Sequence, residues 1–252
     1  DARLADYLER DGLGYETLTR GGKALPLLTA RHLARIIDEN GIELLHVHWG
    51  RDLALAALAK RFSCAGPRLV YTRQMQMTRP KRDPYHNFVF GQVDRVVTIT
   101  RRLAEDMRRF LRPAYADRIT PLYYGVPAPA DEPDPGGRSE LRAGLDFERG
   151  TFLVGLFGRI KHYKGQHLLV EAIAKARAEG LDVGALIVGR AMEDDYLTAL
   201  KQEVKEQGLE HAIIFKDFVD NPQSLMRACD AVALTTIEET FGLVLVEAMR
   251  AG

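Results

Sequence analysis

The stretch Glu238 to Gly252 (EETFGLVLVEAMRAG) combines two kinds of group that bind small molecules. Glu239 and Glu247 lie eight positions apart, and between them Phe241 and Gly242 precede an apolar segment that predicts a helix. Free N–H groups at a helix start attract an anion such as phosphate, whereas an ionised carboxylate accepts hydrogen bonds from hydroxyls. The stretch therefore predicts a site for a phosphate beside sugar or ribose hydroxyls. The alternative is that the acidic residues only stabilise the first turn of the helix.

A second stretch, Gly158 to Gly165 (GRIKHYKG), places two fixed positive charges between an apolar segment and a predicted helix. Gly158 allows a sharp turn and a close approach of a ligand to the backbone. The guanidinium of Arg159 and the ammonium of Lys164 suit the oxygens of a diphosphate. The Gly-Lys-Ser/Thr ending of a Walker A loop is absent. A basic turn on the surface is the alternative.

Short apolar segments alternate with amphipathic ones, which favours doubly wound parallel α/β sheets with ligands at the carboxyl ends of the strands. The segments predicted as strands are Tyr15–Thr19, Glu43–His48, Arg68–Thr72, Arg95–Thr100, Thr120–Tyr124, Thr151–Phe157, Val183–Val188, Ala212–Phe215 and Ala231–Thr235. The segments predicted as helices are residues 1–11, Leu27–Glu39, Asp52–Phe62, Pro84–Phe90, Arg102–Leu111, Gln166–Ala178, Glu193–Gln207, Pro222–Ala228 and the segment after Gly242.

The proline- and glycine-rich stretch Pro127–Gly137 predicts a linker between two domains, residues 1–130 and 131–252. The net charge changes sign there. Residues 1–130 contain 21 Lys and Arg against 14 Asp and Glu, and residues 131–252 contain 14 against 21. The basic clusters Arg73–Arg82 and Arg101–Arg112 predict contact with an anionic acceptor or a membrane surface. A solvated helix face is the alternative for Arg101–Arg112.

Other features of the composition limit the class of protein. No apolar run reaches the roughly 18 residues of a membrane-spanning helix, and no signal peptide is evident. Cys64 and Cys229 lack metal-ligand spacing, which predicts buried, reduced thiols in a cytoplasmic protein. The neutral overall charge and the poor aromatic interleaving of the basic clusters argue against nucleic-acid binding. A Rossmann dehydrogenase is disfavoured because no G-x-G-x-x-G follows a strand.

GRIKHYKG, the IVG at residues 187–189 and EETFGLVLVEAMRAG, in this order, resemble the C-terminal half of the retaining GT-B glycosyltransferases of family 4. Upstream, HVHWG, VYT, DRVVTIT and YYGVP resemble the N-terminal landmarks of that family. The resemblance implies two Rossmann-like domains that face a cleft. Here both are expected to be incomplete, because the family's first strand, its glycine-rich loop and the segment after Gly252 have no counterpart. A binding fragment or degenerate member without transferase activity is therefore the alternative function.

The resemblance also implies the roles of individual residues. Arg159 and Lys164 match the pair that binds the donor diphosphate, and Glu239 and Glu247 match the carboxylates beside the donor sugar and the ribose. The catalytic residues are then Glu239, Arg159 and Lys164. The implied donor-binding residues are Gly158, Arg159, Lys164, Gly189, Val219, Glu239, Phe241, Gly242, Leu243 and Glu247.

The implied reaction moves a sugar from a nucleoside diphosphate sugar to an acceptor hydroxyl with retention of configuration. No cofactor and no metal site are expected, because the protein's own charges would stabilise the leaving diphosphate. Glu193-Asp194-Asp195 is expected to cap a helix instead of binding a metal.

A saccharide or lipid-linked acceptor is expected on the basic N-terminal domain near His48, Trp49 and Arg73, with peripheral contact at the inner face of the cell membrane. Only one of His46 and His48 is expected to face the ligand. Arg73-Gln74 stand where many family members carry a His, so no catalytic His is transferred to this chain.

Overall fold

The computed structural model describes residues 2–18, 26–126, 137–145, 147 and 150–252. The chain divides into two compact units, Asp1–Tyr123 and Tyr124–Gly252. The domain boundary predicted near residue 130 and most of the predicted linker fall in 127–136, outside the described residues, and stay predictions. Among the described residues, no helix is both long and apolar enough to cross a membrane.

The first unit contains a parallel sheet whose described strands follow one another in chain order, β1-β2-β3-β4. The strands are β1 Leu44–Val47, β2 Arg68–Arg73, β3 Arg95–Thr98 and β4 Ile119–Pro121. The helices are α1 Ala2–Arg10, α2 Leu27–Glu39, α3 Leu53–Phe62, α4 Pro84–Gly91 and α5 Arg101–Phe110, with a 3₁₀ turn at Pro113–Arg118.

Local sequence signals explain where these helices begin. Asp83 accepts a hydrogen bond from the backbone N–H of His86 at 3.1 Å, and Pro84 occupies the first helical position of α4, where its missing N–H costs nothing. The Thr100 hydroxyl accepts from the N–H of Leu103 at 3.2 Å and so starts α5. These caps end the preceding loops at defined points, and the helices then pack on the sheet through one apolar core.

The second unit contains a parallel sheet in the order β7-β6-β5-β8. Its strands are β5 Phe152–Phe157, β6 Val183–Val188, β7 Ile213–Lys216 and β8 Ala231–Val232. Its helices are α6 Gly137–Ala143, α7 Gln166–Ala178, α8 Asp194–Glu206, α9 Gln223–Ala228 and α10 Leu243–Ala251, with a 3₁₀ turn at His162–Lys164.

The central strand β6 is buried along its whole length, because helices cover both faces of the sheet. Ala185 and Ile187 belong to the core cluster that includes residues of α7 and α8. Leu186 and Val188 point the other way, into a second cluster that contains Met226 and other residues of α9 and α10. The strand order reverses between β5 and β8, which makes the carboxyl ends of these two strands a topological switch point.

Several expectations about the elements are wrong. Tyr15 to Leu18 form no strand, and Thr19 lies outside the described residues. The apolar run Glu43–His48 also predicts a buried strand, but Leu44 is 54% exposed because β1 lies at an edge of the described sheet. The predicted strand at 120–124 already ends at Pro121, and Leu122 is exposed.

Three further predictions need correction. The strand predicted at 231–235 pairs only at Ala231 and Val232. Cys64 is exposed, although Cys229 is buried as expected. Glu193 makes no capping hydrogen bond to α8. Its carboxylate instead lies 3.3 Å from the Nζ of Lys161 and accepts from the N–H of His162.

Candidate functional site

An ion pair joins the two sequence motifs of the second unit. The Nζ of Lys164 donates to Oε2 of Glu239 at 3.0 Å, although 75 residues separate the two in the chain. Lys164 ends the 3₁₀ turn that follows β5, and Glu239 lies in the loop that follows β8. Because β5 and β8 are neighbouring parallel strands, their carboxyl ends bring these two loops together at the switch point.

Glu239 is held as a carboxylate in this arrangement. Its Oε1 accepts from the backbone N–H of Thr240 at 3.0 Å. Partial burial alone would raise the pKa of Glu239, but the hydrogen bonds from Lys164 and from the N–H of Thr240 outweigh burial and lower the pKa. A charged acceptor of hydrogen bonds therefore stands beside a cation at neutral pH.

Glycines let the loops of the site approach one another. A Cβ at Gly165, which has a φ of +74°, would lie 2.4 Å from the carbonyl oxygen of Thr235. The Thr235 hydroxyl in turn donates to the carbonyl of Lys164 at 2.9 Å. A Cβ at Gly189 would lie 1.8 Å from the carbonyl oxygen of Gly158, so the loops after β5 and β6 touch through bare backbone.

The guanidinium of Arg159 lies at the surface, and a buried side chain holds the Arg159 backbone in place. The Nε2 of Gln166, a fully buried side chain, donates to the carbonyl of Arg159 at 3.0 Å. The Nη2 of Arg159 donates to the Tyr163 hydroxyl at 3.3 Å. Tyr163 also lies under the Lys164 ammonium, whose Nζ is 5.6 Å from the ring centroid. The tyrosine ring therefore groups the two cations on one loop.

The helix start predicted after Phe241 is present. Gly242 precedes α10 in the left-handed conformation, with a φ of +76°, and no side chain caps the helix. Uncapped N–H groups at a helix start are suited to an anion. Leu243 is the first helical residue and is exposed, and Glu247 lies half-buried about one turn further along. The Phe241 ring packs edge-on against Tyr124, with ring centroids 5.3 Å apart.

Val219 is placed differently from the other predicted donor residues. It is half-buried and packs against the core cluster that contains Val188. Its predicted role depends on the backbone, and the contacts of its side chain are those of a core residue.

The predicted acceptor residues of the first unit do not form one group. Trp49 and Arg73 line the same cavity, but the described lining of that cavity does not include His48. Alternation along the strand does not separate His46 from His48, and whether only one of them faces the ligand stays a prediction. Residues two apart on a strand share a face, and the two imidazole rings lie 4.1 Å apart. Burial, followed by the charge of His48, lowers the pKa of His46, whose Nε2 lies 2.7 Å from the Thr72 hydroxyl.

Sequence reasoning missed Tyr163, Gln166, Thr235 and Tyr124. Tyr163 lies inside the basic motif and could have been singled out as an aromatic platform for its cations. Gln166 and Thr235 act through the backbone of other residues, which no spacing reveals. Tyr124 precedes Phe241 by more than a hundred positions, so only folding shows the contact. Among the described residues, no group of three or more His, Cys, Asp or Glu could hold a metal ion.

Two family models match the chain, and each covers a different part of it. The model described as Glycosyltransferase Family 4 matches residues 4–128, and the model described as Glycosyl transferases group 1 matches residues 137–252. The chain therefore belongs to the family 4 glycosyltransferases with the GT-B fold, as its motifs predict.

Individual relatives support this membership. The chain is 26% identical over 236 residues to the lipopolysaccharide core biosynthesis mannosyltransferase LpsB of Rhizobium meliloti, which covers 91% of this chain and 64% of that protein. It is 32% identical over 175 residues to the D-inositol 3-phosphate glycosyltransferase of Mycobacterium sp. (strain KMS), which covers 65% of this chain and 37% of that one. The chain thus spans less than two thirds of the length of these relatives.

Among solved structures, the chain is similar to the Anabaena protein HepE in complex with UDP. The two chains are 26% identical in sequence and superpose with a TM-score of 0.83, and the match covers 99% of this chain and 68% of HepE. HepE has also been solved in complex with UDP and glucose, and that structure matches with a TM-score of 0.78.

Proposed function

We propose that this protein transfers a sugar from a nucleoside diphosphate sugar to an acceptor hydroxyl, with retention of the anomeric configuration. The observation that carries the proposal is the 3.0 Å pair of Lys164 and Glu239, which unites a cationic loop and a helix-start loop at the switch point of the second sheet. The similarity to HepE, which binds UDP, and to LpsB, a mannosyltransferase, supports the same reaction class.

The cations act on the leaving group. As the bond between the anomeric carbon and the diphosphate oxygen breaks, negative charge grows on the diphosphate. Arg159, Lys164 and the N–H groups at the start of α10 stabilise that charge. The acceptor oxygen forms the new bond on the same face of the sugar, and its proton passes to the departing diphosphate.

The two carboxylates hold the hydroxyls of the donor. Glu239 stays ionised beside Lys164 and so accepts hydrogen bonds from the donor sugar. Glu247, on α10, accepts from the hydroxyls of the ribose. Gly158, Gly189 and the backbone at Val219 let the nucleotide lie close to the main chain.

The protein's own charges replace a divalent metal in this proposal, and no cofactor takes part. Two cations and a helix start supply the charge that Mg²⁺ supplies to phosphoryl groups elsewhere. Transfer is accordingly expected to continue in the presence of excess EDTA, and its loss on chelation would contradict this part.

The acceptor is a saccharide or a lipid-linked saccharide that binds the first unit near His48, Trp49 and Arg73. The basic segments 73–82 and 101–112 would bring the protein to the inner face of a membrane by attraction to anionic lipids. This places the protein in the cytoplasm, in peripheral contact with that membrane.

A thermal melt with UDP, GDP, ADP or buffer alone, each ligand at about millimolar concentration, tests the donor site, because a ligand of the folded state raises the melting temperature. Arg159→Ala and Lys164→Ala are expected to weaken binding of the preferred diphosphate by about 1.5–3 kcal/mol, the range for hydrogen bonds to charged groups. Lys175→Ala on the exposed surface of α7 is the matched control, because the ion pair of Lys175 is with its helix neighbour Glu171 and lies away from the site loops.

Unchanged affinity in folded Arg159→Ala and Lys164→Ala variants would refute the diphosphate assignment. Retention is tested separately by proton NMR of the transferred sugar, which distinguishes its two anomers. Binding of a diphosphate without transfer to any saccharide would leave a donor-binding module and overturn the catalytic part of the proposal.

A further inference from the structure

A cavity of about 400 Å³ lies wholly within the first unit, at the carboxyl ends of β1 and β2. This volume falls in the range of small-molecule sites. Its lining includes the polar and aromatic side chains of Trp49, Arg51, Tyr71, Arg73, Lys81, Tyr85, His86 and Phe90. The cavity is independent of the Lys164–Glu239 pair, which belongs to the second unit.

Arg73 is held rigidly at the cavity. Its Nη1 donates to the Tyr71 hydroxyl at 3.1 Å, its Nε donates to the carbonyl of Met75 at 2.5 Å and its Nη2 donates to the carbonyl of Gln76 at 2.6 Å. These bonds use three of the five N–H groups of a guanidinium. The charge is therefore fixed in place, and N–H groups remain for a ligand.

A second cation lies at the same cavity. The Nζ of Lys81 is 3.3 Å from Nε2 of His86. Burial and then the positive charges of Arg73 and Arg79 lower the pKa of Lys81, so like charges lie near its ammonium. The nearby carboxylate of Asp83 opposes this shift, but it is already bonded to His86. A bound anion would relieve the crowding.

Exposed aromatic rings complete the lining. Trp49 is 64% exposed and Tyr85 is 53% exposed. Rings of this kind offer a flat apolar face with a polar edge, which suits the C–H face and hydroxyls of a pyranose. Cations and aromatic faces at one cavity fit a sugar that carries a negative charge better than they fit a neutral sugar or a free anion.

We propose that this cavity binds the charged residue of the acceptor, a sugar that bears a phosphate or a carboxylate, with Arg73 and Lys81 on the oxyanion and Trp49 against the ring. The identification of this ligand as the acceptor rests on the proposed function, but its binding does not require the donor site. It narrows the acceptor from any saccharide to an anionic one.

The chain contains one tryptophan, so tryptophan fluorescence reports on this cavity alone. The protein is titrated with glucose 6-phosphate, glucuronate, glucose and inorganic phosphate. We expect saturable changes with one or both charged sugars, and binding of glucose and of inorganic phosphate at least about tenfold weaker, since both the charge and the ring contribute. The tighter of the two charged sugars identifies the anion.

The variant Lys81→Gln is expected to weaken binding of the charged sugar by about tenfold, and Lys81→Arg is expected to restore most of it. The matched control Arg61→Gln removes one exposed charge from the end of α3 and should change nothing. Equal affinity for glucose and the charged sugars, absence of binding, or an unaffected Lys81→Gln variant would overturn the proposal.

UDP melts of the same samples separate the two proposals. A UDP shift without a fluorescence response would overturn only the anionic-acceptor site. A fluorescence response without a shift by any diphosphate would support this cavity and contradict the donor site instead.

Discussion

In each unit an aspartate ties the start of one strand to the neighbouring strand. Asp94 directly precedes β3, and its main chain and carboxylate bond both backbone groups of Leu69 on the neighbouring strand. Asp230 directly precedes β8 and bonds Leu153 on β5 in the same manner. Each carboxylate also pairs with a cation, Lys60 in the first unit and Arg142 in the second.

The carboxyl ends of the strands differ between the units. In the second unit the loops meet through glycines, and a Cβ at Gly165 or Gly189 would collide with backbone. In the first unit the corresponding ends carry large side chains, and Arg73 bonds to its own loop. The edge in the second unit thus offers backbone N–H groups beside the charges of Arg159, Lys164 and Glu239, whereas the edge in the first unit offers side chains.

The same parallel α/β architecture can therefore bind two classes of ligand. A diphosphate is common to every nucleotide-sugar donor and is bound well by backbone and fixed charge. An acceptor differs from enzyme to enzyme, and side chains can change without disturbing the sheet. Substitutions at the close-contact glycines of the second unit should therefore act on folding, and substitutions of the cavity side chains of the first unit should act on ligand choice.

The largest effect is expected from Gly189→Ala. The new Cβ would lie 1.8 Å from the Gly158 carbonyl oxygen, so the loops after β5 and β6 must separate. We expect a loss of about 3 kcal/mol or more in the free energy of unfolding of the second unit, at the upper end for overpacking. Gly180→Ala is the control, since Gly180 shares a positive φ but a Cβ there would meet no atom of the described residues within 4 Å. Equal losses in urea denaturation would contradict the close approach.

Asp94→Ala and Asp230→Ala test what the units share. Each variant leaves a backbone N–H without its acceptor and removes the carboxylate partner of a partly buried cation, which is expected to cost about 2 kcal/mol. Asp220→Ala, at an exposed position, is the control variant. Urea unfolding followed for each unit separately should give similar losses. A large loss in one unit with none in the other would show that the two aspartates are not equivalent.

The acid stability of the first unit follows from the charge of Asp94. Burial alone would raise its pKa, but hydrogen bonds from the Leu69 N–H, Lys60 and Arg68 lower it. A lowered pKa stabilises the fold above the unfolded pKa of about 4, and this stability is lost as the pH falls through the folded value. The difference between wild type and Asp94→Ala should therefore be full at neutral pH and shrink in acid. A constant difference would contradict the charged state of Asp94.

The smallest effect is expected from Glu193→Ala. Glu193 contacts the basic loop only at its surface, through Lys161 and the N–H of His162. Exposed ion pairs contribute about 0.5 kcal/mol, so stability and UDP affinity should change little. A loss of UDP affinity as large as that of Lys164→Ala would show that surface charge, and not the glycine contacts, positions the loop.

The elements most easily predicted were those with long apolar patterns. Gln166–Ala178 and Val183–Val188 were predicted with the bounds that the structure shows, because burial on a sheet imposes a strict period on the side chains. The short strand β8 was predicted too long, since its two paired residues carry little pattern. The strand predicted at Tyr15–Thr19 is absent from its described part, residues 15–18, because apolar residues in an exposed loop imitate the pattern of a strand.

The family, the parallel α/β class and the two donor motifs can be predicted from the amino-acid sequence, because residue types and their spacing encode strands, helix starts and fixed charges. The folded chain was needed to show that Lys164 meets Glu239 across 75 residues, that Gln166 and Thr235 fix the basic loop, and that Lys81 joins Arg73 at one cavity. These contacts depend on which strands become neighbours, and strand order is set by packing of the whole chain and not by local pattern.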